Sequence, residues 1–187
     1  MTVAPGLRKL ALTAHISASV GWLGAVGVYL ALAVTGVAGR DAQTVRAAYL
    51  AMELIVRFVI LPLALASLLT GLASALASPW GLFRHYWVLI KLVLNVVTTA
   101  VLLLYTASIS YFAGLARDPA SSGSDLGELR NPTHAVHAGA ALVVLLLATV
   151  LAVYKPRGLT RYGQRKHDEQ RRASQGSTPD ERPLFVP

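Results

Sequence analysis

The chain of 187 residues is 55% hydrophobic and only 14% charged, whereas a soluble domain has about 25% charged residues. It contains no cysteine, which excludes disulfides, thiolate metal sites and cysteine nucleophiles. The net charge of +8 lies mainly beside long apolar segments and in the C-terminal tail, which argues against nucleic-acid binding and favours a membrane protein.

Four apolar segments follow one another along the chain, over residues 10–37, 47–78, 86–115 and 134–154. Each exceeds the ~18 residues that distinguish a membrane span from a buried soluble helix. The first is much longer than the apolar core of a signal peptide, so we expect it to remain as a helix. The sequence therefore predicts an all-α membrane protein, with a four-helix bundle over residues 1–156 as one domain.

The lysines and arginines outside the spans predict the orientation. If the N-terminus is cytoplasmic, eleven of them lie on the cytoplasmic side and four on the other, as the positive-inside rule requires. Both termini are then cytoplasmic. Residues 157–187 are basic and polar without apolar periodicity, so we expect a mostly disordered tail that rests on anionic lipid.

A short cytoplasmic turn is expected between the second and third spans. Arg84 and the aromatic residues Trp80 and Trp87 flank this turn, where such side chains anchor a helix at the lipid interface. The turn is short, so the two spans are predicted to be antiparallel neighbours.

Ionisable residues inside the spans are the candidate site residues, because each is costly in lipid and normally faces a partner. We place them in two groups by their distance from the helix ends, the inner one being cytoplasmic. The candidates are His15, Lys91 and Asn95 in the inner group, and Glu53, Arg57 and His137 in the outer group.

Structural explanations compete with functional ones at these positions. Glu53 and Arg57 have the i,i+4 spacing of an intrahelical ion pair, and Lys91 is close enough to the inner interface to extend toward it. His134 is expected to face water at the outer end of the fourth span. His15 and His137 require either a hydrogen-bond partner or a metal.

Several functions fit these residues. Haem b is one hypothesis, with His15 and His137 as ligand candidates, although they are predicted to differ in depth by roughly 10 Å. A small transporter or channel acting as an oligomer is another, because the interior charge is net positive. A metal site at His134 and His137, with His15 as a further candidate, lacks an evident third and fourth ligand. Hydrolytic motifs are absent from the sequence, which disfavours an enzyme.

Four sequence segments resemble a known family. They are residues 14–24 (AHISASVGWLG), 41–53 (DAQTVRAAYLAME), 79–91 (PWGLFRHYWVLIK) and 154–160 (YKPRGLT). Together they resemble a family of predicted four-helix integral membrane proteins of unknown function from high-GC Gram-positive bacteria, over roughly residues 10 to 166. Positions His15, Trp22, Glu53, Lys91 and His137 match that pattern. His15 followed by Trp22-Leu23-Gly24 in the first span also shows a fainter likeness to the membrane domain of copper-resistance proteins.

The resemblance implies a multi-pass protein of the bacterial plasma membrane, without an assigned activity. We therefore expect a non-enzymatic scaffold or accessory subunit that has a buried polar cluster. Its expected partners are the lipid bilayer and either a second copy of the chain or another membrane protein.

Overall fold

A computed structural model describes residues 5–76, 82–118, 127–156 and 158–176 of the chain. The helices are α1 (Pro5–Ala38), α2 (Ala42–Ile55), α3 (Leu61–Leu76), α4 (Tyr86–Arg117), α5 (Thr133–Tyr154) and α6 (Arg161–Gly176). A π-helical turn, Val56–Ile60, joins α2 to α3, so Ala42–Leu76 is one continuous helix.

Four helices are long and apolar enough to cross a membrane, which confirms the predicted all-α fold with four spans. They are Pro5–Ala38, Ala42–Leu76, Tyr86–Arg117 and Gly127–Tyr154, with mean hydropathies of 1.8, 2.1, 2.2 and 2.5. Large apolar side chains cover their outer faces, including Leu104 at 82% exposed and Phe58 at 68%. Such a surface is unfavourable in water but suits the hydrocarbon of a bilayer.

The link between the first two spans is short and well defined. The amide of Gly39, which follows α1, donates to the carbonyl of Thr35 at 2.8 Å. Asp41 is the N-cap of α2, and its Oδ2 accepts hydrogen bonds of 2.8 Å from both the amide and the hydroxyl of Thr44. This cap satisfies an amide that has no partner within the helix. The two helices that this link connects are in contact with each other.

The π-helical turn precedes Pro62, which has no amide hydrogen to donate. The amide of Leu61 bonds to the carbonyl of Val56, five residues earlier, instead of following the α-helical pattern. This irregularity places Arg57 inside the π turn. Single π turns in helices are frequent at functional positions.

The spans pack as a closed ring in chain order. Helix α1 contacts α2, α3 and α5, and α4 contacts the same three helices from the other side. Trp22, Tyr29, Tyr49 and Met52 are among the largest buried side chains between them. Trp22 is only 1% exposed and packs inside the bundle.

The tail differs from the sequence prediction. Residues Arg161–Gly176 form α6 where disorder was expected, and residues 177–187 lie outside the described part of the chain. The reason is a contact that we name the tail junction, between residues 83–86 and 158–163. There the amide of Thr160 donates to the carbonyl of Arg84 at 3.0 Å, and its hydroxyl caps the amide of Gly163 at 3.0 Å. An N-cap that is fixed in this way initiates a helix without apolar periodicity.

Candidate functional site

His15 lies at the centre of a buried polar cluster between three spans. Its Nδ1 is 3.0 Å from the carbonyl oxygen of Ser67 on α3, which can only accept, so Nδ1 carries the proton. Nε2 is then the acceptor for the ammonium group of Lys91 on α4, at 3.2 Å. Both ring nitrogens of this histidine are therefore used to join α1 to two other helices.

The residues around His15 are small or polar. Ser19 and Ser67 join α1 and α3 by a hydroxyl hydrogen bond of 2.8 Å. Gly71 makes room for the imidazole, because a Cβ atom there would lie 2.9 Å from His15 Cε1. Asn95 is buried one turn beyond Lys91 on α4. Of the three residues predicted to form the inner group, the structure joins His15 and Lys91 by a hydrogen bond. We call His15, Ser19, Ser67 and Lys91 the His15 cluster.

His134 is enclosed by aromatic rings, although we expected it to face water. Only 1% of the residue is exposed, and Nδ1 lies 3.1 Å from Tyr29 Oη and 3.3 Å from Tyr105 Oη. The rings of Phe112 and Tyr49 meet it edge-on, with centroids 4.8 and 5.4 Å away. The expectation was wrong because side chains from the other three spans extend over the first turn of α5. We call these five residues the His134 cluster.

His137 is exposed, not turned to the interior as predicted. Its Nδ1 donates to the carbonyl of Thr133 at 2.8 Å, and its ring stacks on Tyr105 with centroids 4.4 Å apart. Three residues along an α-helix correspond to 300°, so His137 lies about 60° away from the inward direction of His134.

The two predicted haem ligands are far apart. His15 contacts Lys91 and His137 contacts Tyr105, and these two residues of α4 are separated by about 21 Å along the helix at 1.5 Å per residue. A bis-histidine haem needs both imidazoles on one iron. Among the described residues, no three His, Cys, Asp or Glu side chains are grouped so that they could hold a metal ion.

Glu53 pairs mainly across the bundle instead of within its own helix. Arg117, at the end of α4, donates a hydrogen bond to Oε2. The Arg57 guanidinium is 3.6 Å from Oε1, beyond hydrogen-bond distance, while the side chains of Arg57 and Arg117 are similarly exposed, at 62% and 56%. The intrahelical pair is therefore the weaker contact. Sequence spacing indicated only the partner on the same helix, and the ion pair with Arg117 was missed.

A groove lies beside this ion pair, between the second and third spans. It has a volume of about 290 Å³, and its lining includes Glu53, Arg57, Leu61, Thr106 and Ser110. We call it the lateral groove, because the exposed side chain of Arg57 places it on the outer surface of the bundle.

The three residues predicted to anchor the protein at the lipid interface lie in different parts of the chain's structure. Arg84 and Trp87 lie at the tail junction and the start of α4, where both are partly buried, and the ring of Trp87 is near that of His85. Trp80 lies outside the described residues.

Comparison with protein-family models, curated proteins and solved structures finds no match to this chain. The class of protein is therefore defined by the fold alone, as a helical bundle with four potential membrane spans. The resemblance to a family of high-GC Gram-positive bacteria stays a prediction.

Proposed function

We propose that this chain is a non-enzymatic membrane scaffold or accessory subunit of the bacterial plasma membrane. The observation that carries the proposal is the His15 cluster, in which one imidazole bonds to both α3 and α4. Polar groups in lipid strengthen a bundle when they are satisfied between helices. Side chains paired in this way brace the protein.

The remaining polar contacts between spans support the same role. Tyr49 donates to the carbonyl of Leu129, Tyr29 bonds to His134, and Arg117 bonds to Glu53. Each contact joins segments far apart in the chain, as expected for residues that fix the helix arrangement.

The proposed orientation has the N-terminus and α6 in the cytoplasm. Eleven lysines and arginines would then lie on the cytoplasmic side against four outside, and this asymmetry supports the proposal. The scaffold would act together with a second copy of the chain or with another membrane protein.

The haem and transporter hypotheses receive less support. The histidines proposed as haem ligands contact α4 about 21 Å apart. The lateral groove is on the surface, where Arg57 is exposed, instead of following the axis of the bundle. A surface groove does not provide the path through the protein that transport requires.

Replacement of His15 tests the bracing role. His15→Ala removes two hydrogen bonds and leaves Lys91 without its acceptor, so we expect a loss of about 1–3 kcal/mol in stability. The measurement is the thermal unfolding midpoint in detergent, with Ser17→Ala on the exposed face of α1 as the matched control. An unchanged midpoint for His15→Ala would contradict bracing.

An absorption spectrum before and after dithionite tests the redox alternative directly, using protein expressed with ample haem precursor. The scaffold proposal predicts no Soret band. A Soret band that shifts on reduction and disappears in His15→Ala would instead assign a haem-binding function.

A further inference from the structure

Among the described residues, the ion-paired side chains at the lateral groove have one more positive than negative charge, and the groove also has apolar lining residues. Glu53 contributes one negative charge, whereas Arg57 and Arg117 contribute two positive charges. Arg117 forms the hydrogen bond to the carboxylate, and of the two arginines it is Arg57 that lines the groove. The Arg57 side chain is 62% exposed, so it presents the excess charge at the surface of the groove.

The depth of the groove brings this guanidinium near the lipid headgroups. Helix α4 has 32 residues and is about 48 Å long, so when centred across a 30 Å hydrocarbon core it would extend about 9 Å beyond the core at each end. Ser110 and Thr106 lie about 10 and 16 Å from its C-terminal end. They are therefore about 1–7 Å below the surface of the hydrocarbon, a distance that an arginine side chain spans.

We propose that the lateral groove binds the phosphate of an anionic phospholipid, which enters sideways from the bilayer. The excess positive charge matches a headgroup with one net negative charge. The guanidinium presents paired donors whose spacing fits two phosphate oxygens. Leu61 and Ala107 line the same groove with accessible apolar surface and provide contact for the acyl chain. The π turn that contains Arg57 breaks the regular helix at this site.

Lipid retention in native mass spectrometry tests the site. The intact protein is incubated in detergent with phosphatidylglycerol or with phosphatidylcholine of identical acyl chains. We expect phosphatidylglycerol to be retained preferentially. The Arg57→Gln variant loses a charge-assisted hydrogen bond and should bind phosphatidylglycerol about 10- to 100-fold more weakly than the wild type does. Arg57→Lys keeps the charge without the paired donors and should give an intermediate loss.

Arg40→Gln is the matched control, because Arg40 is exposed at the same end of the bundle outside the groove. It should retain phosphatidylglycerol as the wild type does. Equal retention of both lipids by the wild type, or full retention by Arg57→Gln, would overturn the site. Displacement of the lipid by inorganic phosphate alone would overturn the lipid assignment and indicate a free anion instead. Bracing by the His15 cluster is separable, because these variants leave His15 and its partners intact.

Discussion

Replacement of Gly163 by alanine should separate α6 from the bundle. A Cβ atom at this position would lie 2.3 Å from the carbonyl oxygen of Arg84 and 3.2 Å from its carbonyl carbon. Carbon atoms do not approach a carbonyl oxygen so closely, and the obstructing atoms belong to the backbone. A rotamer change cannot relieve the contact, so the tail must move away from residues 83–86.

The cost follows from the hydrogen bonds that the movement breaks. Thr160 donates from its hydroxyl to Phe83 and from its amide to Arg84, at 2.5 and 3.0 Å, and Tyr86 donates to Gly158 at 3.3 Å. At about 0.5–1.5 kcal/mol each, the three bonds contribute about 1.5–4.5 kcal/mol. Their loss raises the population of the detached state by at least about tenfold.

Hydrogen–deuterium exchange of peptides from residues 158–176 measures this population. We expect Gly163→Ala to lower amide protection there by at least about tenfold, while the four spans keep theirs. Gly158→Ala is the control, because its Cβ would meet only Tyr86 Cδ2, at an ordinary 3.8 Å. Alanine also favours helix over glycine, so intrinsic propensity acts against the expected change. Unchanged protection in Gly163→Ala would refute the tail junction.

Three further predictions concern the opposite end of the bundle. Arg117→Gln removes a hydrogen-bonded ion pair between helices and should lower stability in thermal unfolding by about 1 kcal/mol, whereas Arg57→Gln should cost less in the absence of anionic lipid. A larger loss for Arg57→Gln would contradict the cross-helix pairing. Gly36→Ala places a Cβ atom 2.9 Å from the buried ring of Tyr49 and should lower stability by about 1–3 kcal/mol. Gly24→Ala, whose Cβ would have nothing within 4 Å, should not destabilise the protein. The thermal unfolding midpoints of the two variants test this difference. Hydrogen bonds from the backbone amide and the hydroxyl of Thr44 hold the pKa of Asp41 below its usual value. The contribution of Asp41 to stability is therefore present at neutral pH and is lost as pH falls below about 4. A stability difference between wild type and Asp41→Ala that persists at lower pH would contradict this capping role.

The number of apolar helices was predictable because hydropathy depends mainly on composition along the chain. The predicted third span, residues 86–115, agrees closely with Tyr86–Arg117, whereas the second and fourth, 47–78 and 134–154, begin later than Ala42–Leu76 and Gly127–Tyr154. The first helix starts earlier than expected, at Pro5, a residue that fits the first turn of a helix.

The pairing of side chains was only partly predictable. Helical periodicity places a residue on a face but does not identify which other helix covers that face. His15 and Lys91 were expected at similar depth, and this sufficed to group them. Glu53 has an arginine in its own helix and another in α4, and sequence spacing reveals only the first.

The sites around Tyr29 and Thr160 were missed for different reasons. Tyrosine is common in spans, and only its position beside His134 makes the hydroxyl of Tyr29 significant. Thr160 did carry a local signal, because threonine is a favoured N-cap. The segment after Thr160 has no apolar periodicity, and this feature predicts disorder. A helix that is fixed at its first turn does not need an apolar face.

The tail junction also bears on the order in which the protein is assembled. The acceptor carbonyl of Phe83 precedes its donor, the Thr160 hydroxyl, by 77 residues. At about 5–20 residues per second, a ribosome needs roughly 4–15 s to add that length. During this interval the turn between the second and third spans is already made but has no tail to bind. Closure of the bundle at this end must therefore wait for the fourth span, which makes it a late step in biogenesis.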